Sequence, residues 1–314
     1  MPEADPQSEF IAAALYHFAP LPDYRDWREP LLEVCTAHGL KGSLLLAEEG
    51  INGTVAGPRA GIEALLAWLR ARSPFETLRH KESPATPDTF HRMKVRLKKE
   101  IVSLGVEGID ARRTGKRVSP EAWNALIARD DVRLIDTRND YEIALGTFPG
   151  AENPDTEAFS DFPTYVREHL DPKRDRAIAM FCTGGIRCEK ASAYLLDQGF
   201  EQVFQLDGGI LNYLEHTPPE ENLWQGDCFV FDERVSVGPD LKPAGHVLCR
   251  GCRMPLTQED RVRPEFEEGV SCHHCAAGLT EERRASCRER HRQETLAQAR
   301  GGKHVGNTLK PPKP

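Results

Sequence analysis

One stretch decides the fold of the central part of this chain, namely Ala177-Ile-Ala-Met-Phe-Cys-Thr-Gly-Gly-Ile-Arg-Cys-Glu-Lys-Ala-Ser-Ala-Tyr-Leu-Leu196. The apolar residues at its start predict a buried strand, and residues 188–196 predict a helix. Cys182 falls between the two, at the carboxyl end of the strand, which is the edge where open α/β sheets bind their ligands. The stretch therefore predicts a functional cysteine loop in a parallel α/β domain.

The composition of this loop favours a reactive thiolate. A tight turn with inward-pointing backbone N–H groups, followed by a helix N-terminus, supplies positive potential to a thiol. Arg187 adds a fixed cation, so we interpret Cys182 and Arg187 as the catalytic residues. The alternative is an unreactive buried cysteine beside a glycine turn. The other residues of the active-site loop are Thr183, Gly184, Gly185, Ile186 and Cys188.

The length of the loop separates two classes of cysteine chemistry. Four residues lie between Cys182 and Arg187, whereas cysteine-dependent phosphatases use a longer loop that accommodates phosphate. The shorter loop favours sulfur chemistry, in which Cys182 carries a persulfide. Cys188 is a candidate to resolve an oxidised Cys182 by forming a disulfide. The alternative for Cys188 is a small side chain packed in the first turn of the helix.

The pattern along the chain predicts a multidomain protein of mixed α/β and α+β class. Residues 1–110 follow the order β-α-β-β-α-β, with a last strand region over residues 90–104, which is typical of a ferredoxin-like or acylphosphatase-like sandwich. Residues 111–222 contain three short apolar strands separated by helical stretches, which favours a parallel sheet. Residues 223–314 carry paired cysteines and a basic tail.

The composition limits the kind of protein this is. A net charge of −8 over 314 residues argues against nonspecific coating of nucleic acid, although it leaves room for a local basic face. The acidic N-terminus is not a signal peptide, and no stretch approaches the roughly 18 apolar residues of a membrane span. Nine cysteines without a secretory signal indicate thiols and metal ligands in a reducing compartment, so we expect a cytoplasmic protein.

Four cysteines near the C-terminus have the spacing of a metal site. Tetrahedral zinc takes four soft ligands, and two Cys-x2-Cys pairs supply them from adjacent turns. We predict a structural zinc ion in a zinc-ribbon-like module. His273 and His274 are alternative ligands, and redox-active dithiols are the alternative function. The predicted ligands are Cys249 and Cys252, followed after nineteen residues by Cys272 and Cys275.

A basic run in the N-terminal domain is a candidate RNA contact. Alternation along a strand places four basic side chains on one face, where they can contact phosphates. A solvated strand edge protected by charge explains the run equally well. A second basic region begins at residue 281, and Phe90 and Trp224 are candidate stacking platforms for a base. The four basic residues are Arg92, Lys94, Arg96 and Lys98.

Residues 130–215 resemble a rhodanese domain. The resemblance rests on the cysteine loop, on residues 134–142 (LIDTRNDYE) and on residues 204–213 (FQLDGGILNY). Thr147 stands where the rhodanese family usually has His. Two residues are expected to be structural, pinning the loop by ion pairing, namely Asp136 and Arg138.

A second resemblance covers nearly the whole chain. Residues 49–55 (EGINGTV), 94–102 (KVRLKKEIV), 182–194 (CTGGIRCEKASAY) and 226–235 (GDCFVFDERV) are similar to the bacterial rhodanese-like tRNA uridine(34) hydroxylases. The resemblance implies oxygen-dependent conversion of the wobble uridine to 5-hydroxyuridine, with Cys182 as the catalytic residue. It implies the tRNA anticodon loop as the partner, with no membrane and no stable protein partner. It leaves the electron donor open.

Two other functions compete with hydroxylation. One is a sulfurtransferase that passes sulfur through a Cys182 persulfide. The other is a binding module in which the rhodanese fold only recognises a partner. The intact Cys182 and Arg187 argue against the binding module. The predicted zinc module and the basic stretches favour a macromolecular substrate over a small sulfur acceptor.

Overall fold

The computed structural model describes residues 10–300, except for the side chain of Gln298. The described chain divides into two compact units. One comprises the chain up to residue 232 together with residues 236–242, and the other comprises residues 233–235 and the chain from 243 onward. None of the helices within residues 10–300 combines the length and the apolar character needed to cross a membrane.

The first unit begins with a five-stranded sheet and two helices. Its elements are β1 (Phe10–Phe18), α1 (Arg28–Ala37), β2 (Lys41–Ala47), β3 (Gly50–Pro58), α2 (Arg59–Arg70), β4 (Arg79–Pro84) and β5 (Met93–Leu97). The strand order is β4-β1-β3-β2-β5, with antiparallel neighbours except for β5, which runs parallel to β2. One apolar face of α2 packs on the sheet through Ile62, Leu65 and Leu69, as its helical spacing predicts.

This sandwich is confirmed as acylphosphatase-like, but its fourth strand is not the one that the sequence predicted. The fourth strand is β4, whose residues Arg-His-Lys-Glu-Ser-Pro lack the apolar alternation of a half-buried strand. The strand predicted over residues 90–104 was too long, because only Met93–Leu97 is extended. Beyond it the chain turns inward, and Ile101 and Leu104 are buried.

The middle of the chain forms the predicted parallel α/β domain. Its elements are β6 (Lys116–Val118), α3 (Pro120–Ile127), β7 (Val132–Asp136), α4 (Asp140–Ile143), β8 (Gly146–Thr147), α5 (Phe162–His169), β9 (Ala177–Phe181), α6 (Ile186–Asp197), β10 (Gln202–Leu206) and α7 (Gly209–His216), with a 3-10 turn at Phe159–Asp161. Four parallel strands lie in the order β6-β10-β9-β7. The sequence predicted three of them. It missed β6, because three residues of sequence Lys-Arg-Val carry too little pattern to distinguish a strand from a linker.

The chain beyond residue 222 still contributes to this domain. Its short strands are β11 (Gln225–Gly226), β12 (Cys228–Phe229) and β13 (Ser236–Val237). β11 pairs with β8, and β12 pairs with β13 as a hairpin. Trp224, Cys228 and Val237 are buried in the same apolar cluster as Phe148 and Phe181.

The second unit is small and rich in turns. Its elements are β14 (Val247–Leu248), β15 (Pro255–Leu256) and the long helix α8 (Glu281–Ala299), with 3-10 turns at Asp260–Val262 and Ala276–Gly278. Its core consists of Leu256 with Cys249 and Cys272, against which Phe266 packs. The predicted basic region from residue 281 is therefore helical in its first part. The rest of the predicted tail, residues 301–314, lies outside the described residues.

Candidate active site

The cysteine loop joins β9 to α6, as the sequence predicted. Cys182 follows the last residue of β9, and Gly185 caps the N-terminus of α6 with a φ of +93°, a conformation that glycine adopts without strain. This conformation lets the Gly185 N–H donate a hydrogen bond of 3.1 Å to the Cys182 Sγ. A second glycine turn packs below the loop, since a Cβ on Gly209 would lie 2.4 Å from the Cys182 carbonyl oxygen.

The environment of Cys182 favours the thiolate. Burial raises the pKa of this thiol, but hydrogen bonds from the Cys188 thiol and from backbone N–H groups, together with the charge of Arg187, lower it to about 6. Burial and the neighbouring Cys182 raise the pKa of Cys188 instead, so Cys188 remains a protonated donor. Of these two thiols, Cys182 is therefore the one that the loop favours as a thiolate at neutral pH.

Arg187, which the sequence predicted as a fixed cation of the loop, has a buried counter-charge. Its guanidinium binds the Glu142 carboxylate through two hydrogen bonds, of 2.5 Å and 2.8 Å, and both side chains are buried. Its Nη2 also contacts the Thr183 hydroxyl at 3.3 Å. Burial raises the pKa of Glu142, but the charge and hydrogen bonds of Arg187, the charge of Arg138 and the Asn139 N–H together outweigh burial, so the pKa is lowered. Glu142 thus holds the Arg187 side chain in place and neutralises its charge.

Sequence reasoning missed Glu142 as part of the site. Its local signal is a helix-start motif, because Asn139 and Glu142 have the spacing of a capping box at the start of α4. The Asn139 N–H donates to the Glu142 carboxylate at 3.1 Å. A capping residue ordinarily lies at a surface, so the local pattern gives no indication that this carboxylate turns into the cysteine loop.

The structural role expected for Asp136 and Arg138 agrees with their geometry. They form a fully buried ion pair at 2.6 Å. Arg138 also donates to the Glu142 and Gly146 carbonyl oxygens, which holds the chain after α4. Thr147, at the position where rhodaneses usually have His, donates its hydroxyl to Asp136 at 2.9 Å. Thr147 therefore adds a hydrogen bond to the carboxylate of the buried ion pair.

The N-terminal domain reaches the cysteine loop through Tyr16. The Tyr16 hydroxyl donates to the Glu189 carboxylate on α6 at 3.1 Å. It also lies 3.0 Å from the position of a Cβ on Gly185. Burial, the Glu189 carboxylate and the Cys182 charge all raise the pKa of Tyr16, so its hydroxyl stays protonated. Arg117 donates to the same oxygen of Glu189, Oε1, at 2.8 Å.

A second link to α6 runs through Lys190. Its ammonium lies 2.8 Å from the Glu49 carboxylate and 2.6 Å from that of Glu100, and its side chain is almost completely buried. Glu49 in turn accepts the Ile101 N–H at 2.7 Å. Three separate segments that carry the family resemblance, around residues 49, 100 and 190, therefore meet at one ammonium group. Tyr16, Glu49, Glu100 and Lys190 have no signal in the sequence that connects them.

Of the predicted RNA-contact stripe, Lys94 and Arg96 lie on β5, the edge strand of the first sheet, and Arg92 and Lys98 flank that strand. Arg92, Arg96 and Lys98 are exposed, whereas Lys94 is half-buried and Val95 faces the core. A role in RNA contact remains a prediction. The prediction of Trp224 as a stacking platform was wrong, because its indole is buried against Phe148.

The four predicted metal ligands come together in the second unit. Their four Sγ atoms lie within 4.8 Å of one another. The Cys249–Cys275 and Cys252–Cys272 sulfur pairs are 3.8 Å and 3.7 Å apart. A tetrahedral ion with metal–sulfur bonds of about 2.3 Å requires sulfur–sulfur edges of about 3.8 Å. The cluster therefore fits a tetrahedral metal ion and needs neither His273 nor His274 as a ligand.

Comparison with known proteins places the chain in a family. Residues 10–101 match the model of the UPF0176 acylphosphatase like domain, and residues 119–216 match that of the Rhodanese-like domain. A solved rhodanese-like domain from Anabaena sp matches at 20% identity with a TM-score of 0.29, covering 35% of this chain and 78% of that one.

Two full-length relatives are much closer in sequence. A Sinorhizobium fredii protein named tRNA uridine(34) hydroxylase is 56% identical over 98% of both chains. An Agrobacterium fabrum protein of the same name is 52% identical, again over 98% of both chains. This chain belongs to the tRNA uridine(34) hydroxylase family.

Proposed function

We propose that this protein hydroxylates uridine 34 of tRNA, converting it to 5-hydroxyuridine with molecular oxygen as co-substrate. The observation that carries the proposal is the full-length similarity to the named hydroxylases, together with a complete Cys182 loop. Insertion of one oxygen atom while the other leaves as water requires two electrons and two protons. The enzyme therefore needs a two-electron donor in addition to oxygen and tRNA.

Cys182 is the residue to which we assign the chemistry. Its lowered pKa makes it a thiolate near neutral pH, and a thiolate or the persulfide formed from it is a nucleophile toward an electron-poor carbon. Gly185 and the start of α6 hold its sulfur, and Arg187 with Glu142 keeps the loop closed around it. The same cradle suits the persulfide of a sulfurtransferase, which is the competing function.

The remaining roles follow from this substrate. We assign Arg92, Lys94, Arg96 and Lys98 to contacts with tRNA phosphates near the anticodon loop, because basic side chains on and beside the edge strand β5 suit a polyanion. The four cysteines would hold zinc, which would supply structural rather than catalytic chemistry, since four thiolates leave no open coordination position. The cytoplasm is the compartment in which we expect the enzyme to meet its tRNA.

The test is nucleoside mass spectrometry of tRNA from cells that lack the gene. We expect 5-hydroxyuridine and nucleosides derived from it to disappear in the deletion and to return with the wild-type protein. Cys182→Ala should restore none of it. Cys35→Ala serves as the matched control, because Cys35 is also a buried free thiol but lies in the core of the N-terminal sandwich.

Three outcomes separate the candidates. Unchanged 5-hydroxyuridine in the deletion contradicts the proposed function. Loss of 2-thiouridine or another sulfur-containing nucleoside instead supports the sulfurtransferase. Full restoration by Cys182→Ala keeps the hydroxylase function and removes Cys182 from the chemistry.

A further inference from the structure

Phe231 is the aromatic side chain that the fold leaves open to solvent. It is 61% exposed, whereas every other Phe, Tyr and Trp side chain within residues 10–300 is buried or half-buried. A single exposed apolar side chain is ordinary in itself. The contacts of the Phe231 ring distinguish it from such side chains.

One side of the Phe231 ring is supported by the active-site region. The Arg187 guanidinium carbon lies 5.9 Å from the ring centroid. The buried Phe229 meets the ring edge-on at 5.1 Å, and Phe229 is itself held edge-on by Tyr141 at 5.2 Å. The β12–β13 hairpin pairing anchors this segment directly before Val230 and Phe231. The ring is therefore held from behind while much of its surface remains open.

The position of the ring connects it to the reactive sulfur. Arg187, which lies under the ring, is the loop residue whose charge favours the Cys182 thiolate. Cys182 itself has no exposed surface, so a substrate base has to be held at the rim of the loop before it can reach the sulfur. An aromatic ring beside the loop arginine is placed to do this. Aromatic rings bind unstacked bases face to face, and a nearby guanidinium adds to such a stack.

We propose that Phe231 is the platform on which the pyrimidine at position 34, turned out of the anticodon loop, stacks beside the Cys182 loop. This inference rests on the proposed function, because it takes the substrate to be a uridine of tRNA. It replaces Trp224, which the sequence suggested for this role and which the core occupies. It also gives the segment around residue 231 a task in substrate positioning.

The test compares two RNAs by fluorescence anisotropy at one fixed salt concentration. One is an anticodon stem-loop with uridine at position 34, and the other is the same stem-loop with an abasic nucleotide there. The wild-type protein should prefer the uridine RNA. Phe231→Leu, which keeps apolar bulk but removes the π face, should reduce that preference on the order of tenfold, and Phe231→Trp should keep it. Leu223→Ala is the matched control, since Leu223 is also an exposed apolar residue.

Each outcome supports or overturns a specific statement. Absence of any preference in the wild-type protein contradicts the stacking platform, whereas the proposed function fails only if the deletion leaves 5-hydroxyuridine unchanged. A wild-type preference that survives in Phe231→Leu contradicts the stacking platform alone and leaves the function in place. Equal weakening of both RNAs, or equal effects of Leu223→Ala and Phe231→Leu, also contradicts stacking. Melting temperatures of all variants show whether each of them is folded.

Discussion

The Cys182 loop and the four-cysteine cluster use the same side chain in opposite ways. In the loop a single sulfur is surrounded by protein donors, namely the Gly185 N–H, the Cys188 thiol and the Arg187 charge. In the cluster four sulfurs lie within 4.8 Å of one another. Protein dipoles and charges stabilise one thiolate, whereas four adjacent thiolates require a metal cation between them. The comparison teaches that the groups around a cysteine, rather than the cysteine itself, favour either a single thiolate or a metal ligand.

The largest effect is expected from breaking the cluster. Cys272→Ser should lower the zinc content from about one ion per chain to nearly none, because structural zinc contributes on the order of 10 kcal/mol to folding of such modules. Limited proteolysis should then cut within residues 243–300, while the titration of Cys182 stays unchanged. Elemental analysis measures the zinc content, and mass spectrometry of the fragments locates the proteolytic cuts.

Cys287→Ser is the control for the cluster, because Cys287 is a buried cysteine of the same unit that is not among the four. It should retain the metal. A wild-type protein that contains no zinc after purification without chelators would contradict the prediction.

The next effect concerns the ion pair that supports the loop. Glu142→Gln leaves the buried Arg187 without its counter-charge, so we expect a loss of about 3–5 kcal/mol in the free energy of unfolding. Denaturant titration measures it. Glu168→Gln, which changes an exposed acid on α5, should cost less than about 0.5 kcal/mol. Similar losses in both variants would show that Glu142 does not support Arg187.

The smallest effect is expected in the titration of the Cys182 thiol. The difference in thiolate absorbance between wild type and Cys182→Ser should show a midpoint near pH 6. This pKa lies below the value of about 8.5 for an unfolded thiol. The Cys182 thiolate therefore makes its full contribution to the stability of the fold above about pH 8.5. The contribution declines as the pH falls through 6. A midpoint above pH 8 would show that the loop does not stabilise the thiolate.

The sequence predicted the features that depend on residues close together along the chain. A strand, a cysteine, two glycines and a helix in succession define the Cys182 loop, because neighbouring residues make its backbone geometry. The four-cysteine spacing works in the same way. β4 escaped prediction because its residues are polar, and β6 because it is short. Both are extended because a neighbouring strand supplies their hydrogen bonds.

The sequence by itself determined which cysteines are the candidates: Cys182 in its loop for catalysis, and the four cysteines in their two pairs for a metal ion. The tertiary structure decided what surrounds them. It brought Glu142 onto Arg187, Tyr16 onto Glu189, and both Glu49 and Glu100 onto Lys190. It also buried Trp224 and exposed Phe231. These outcomes depend on contacts between segments that are distant in the sequence. Burial and charge pairing in the folded chain set the energies of those contacts. Such contacts leave no periodic pattern in the sequence.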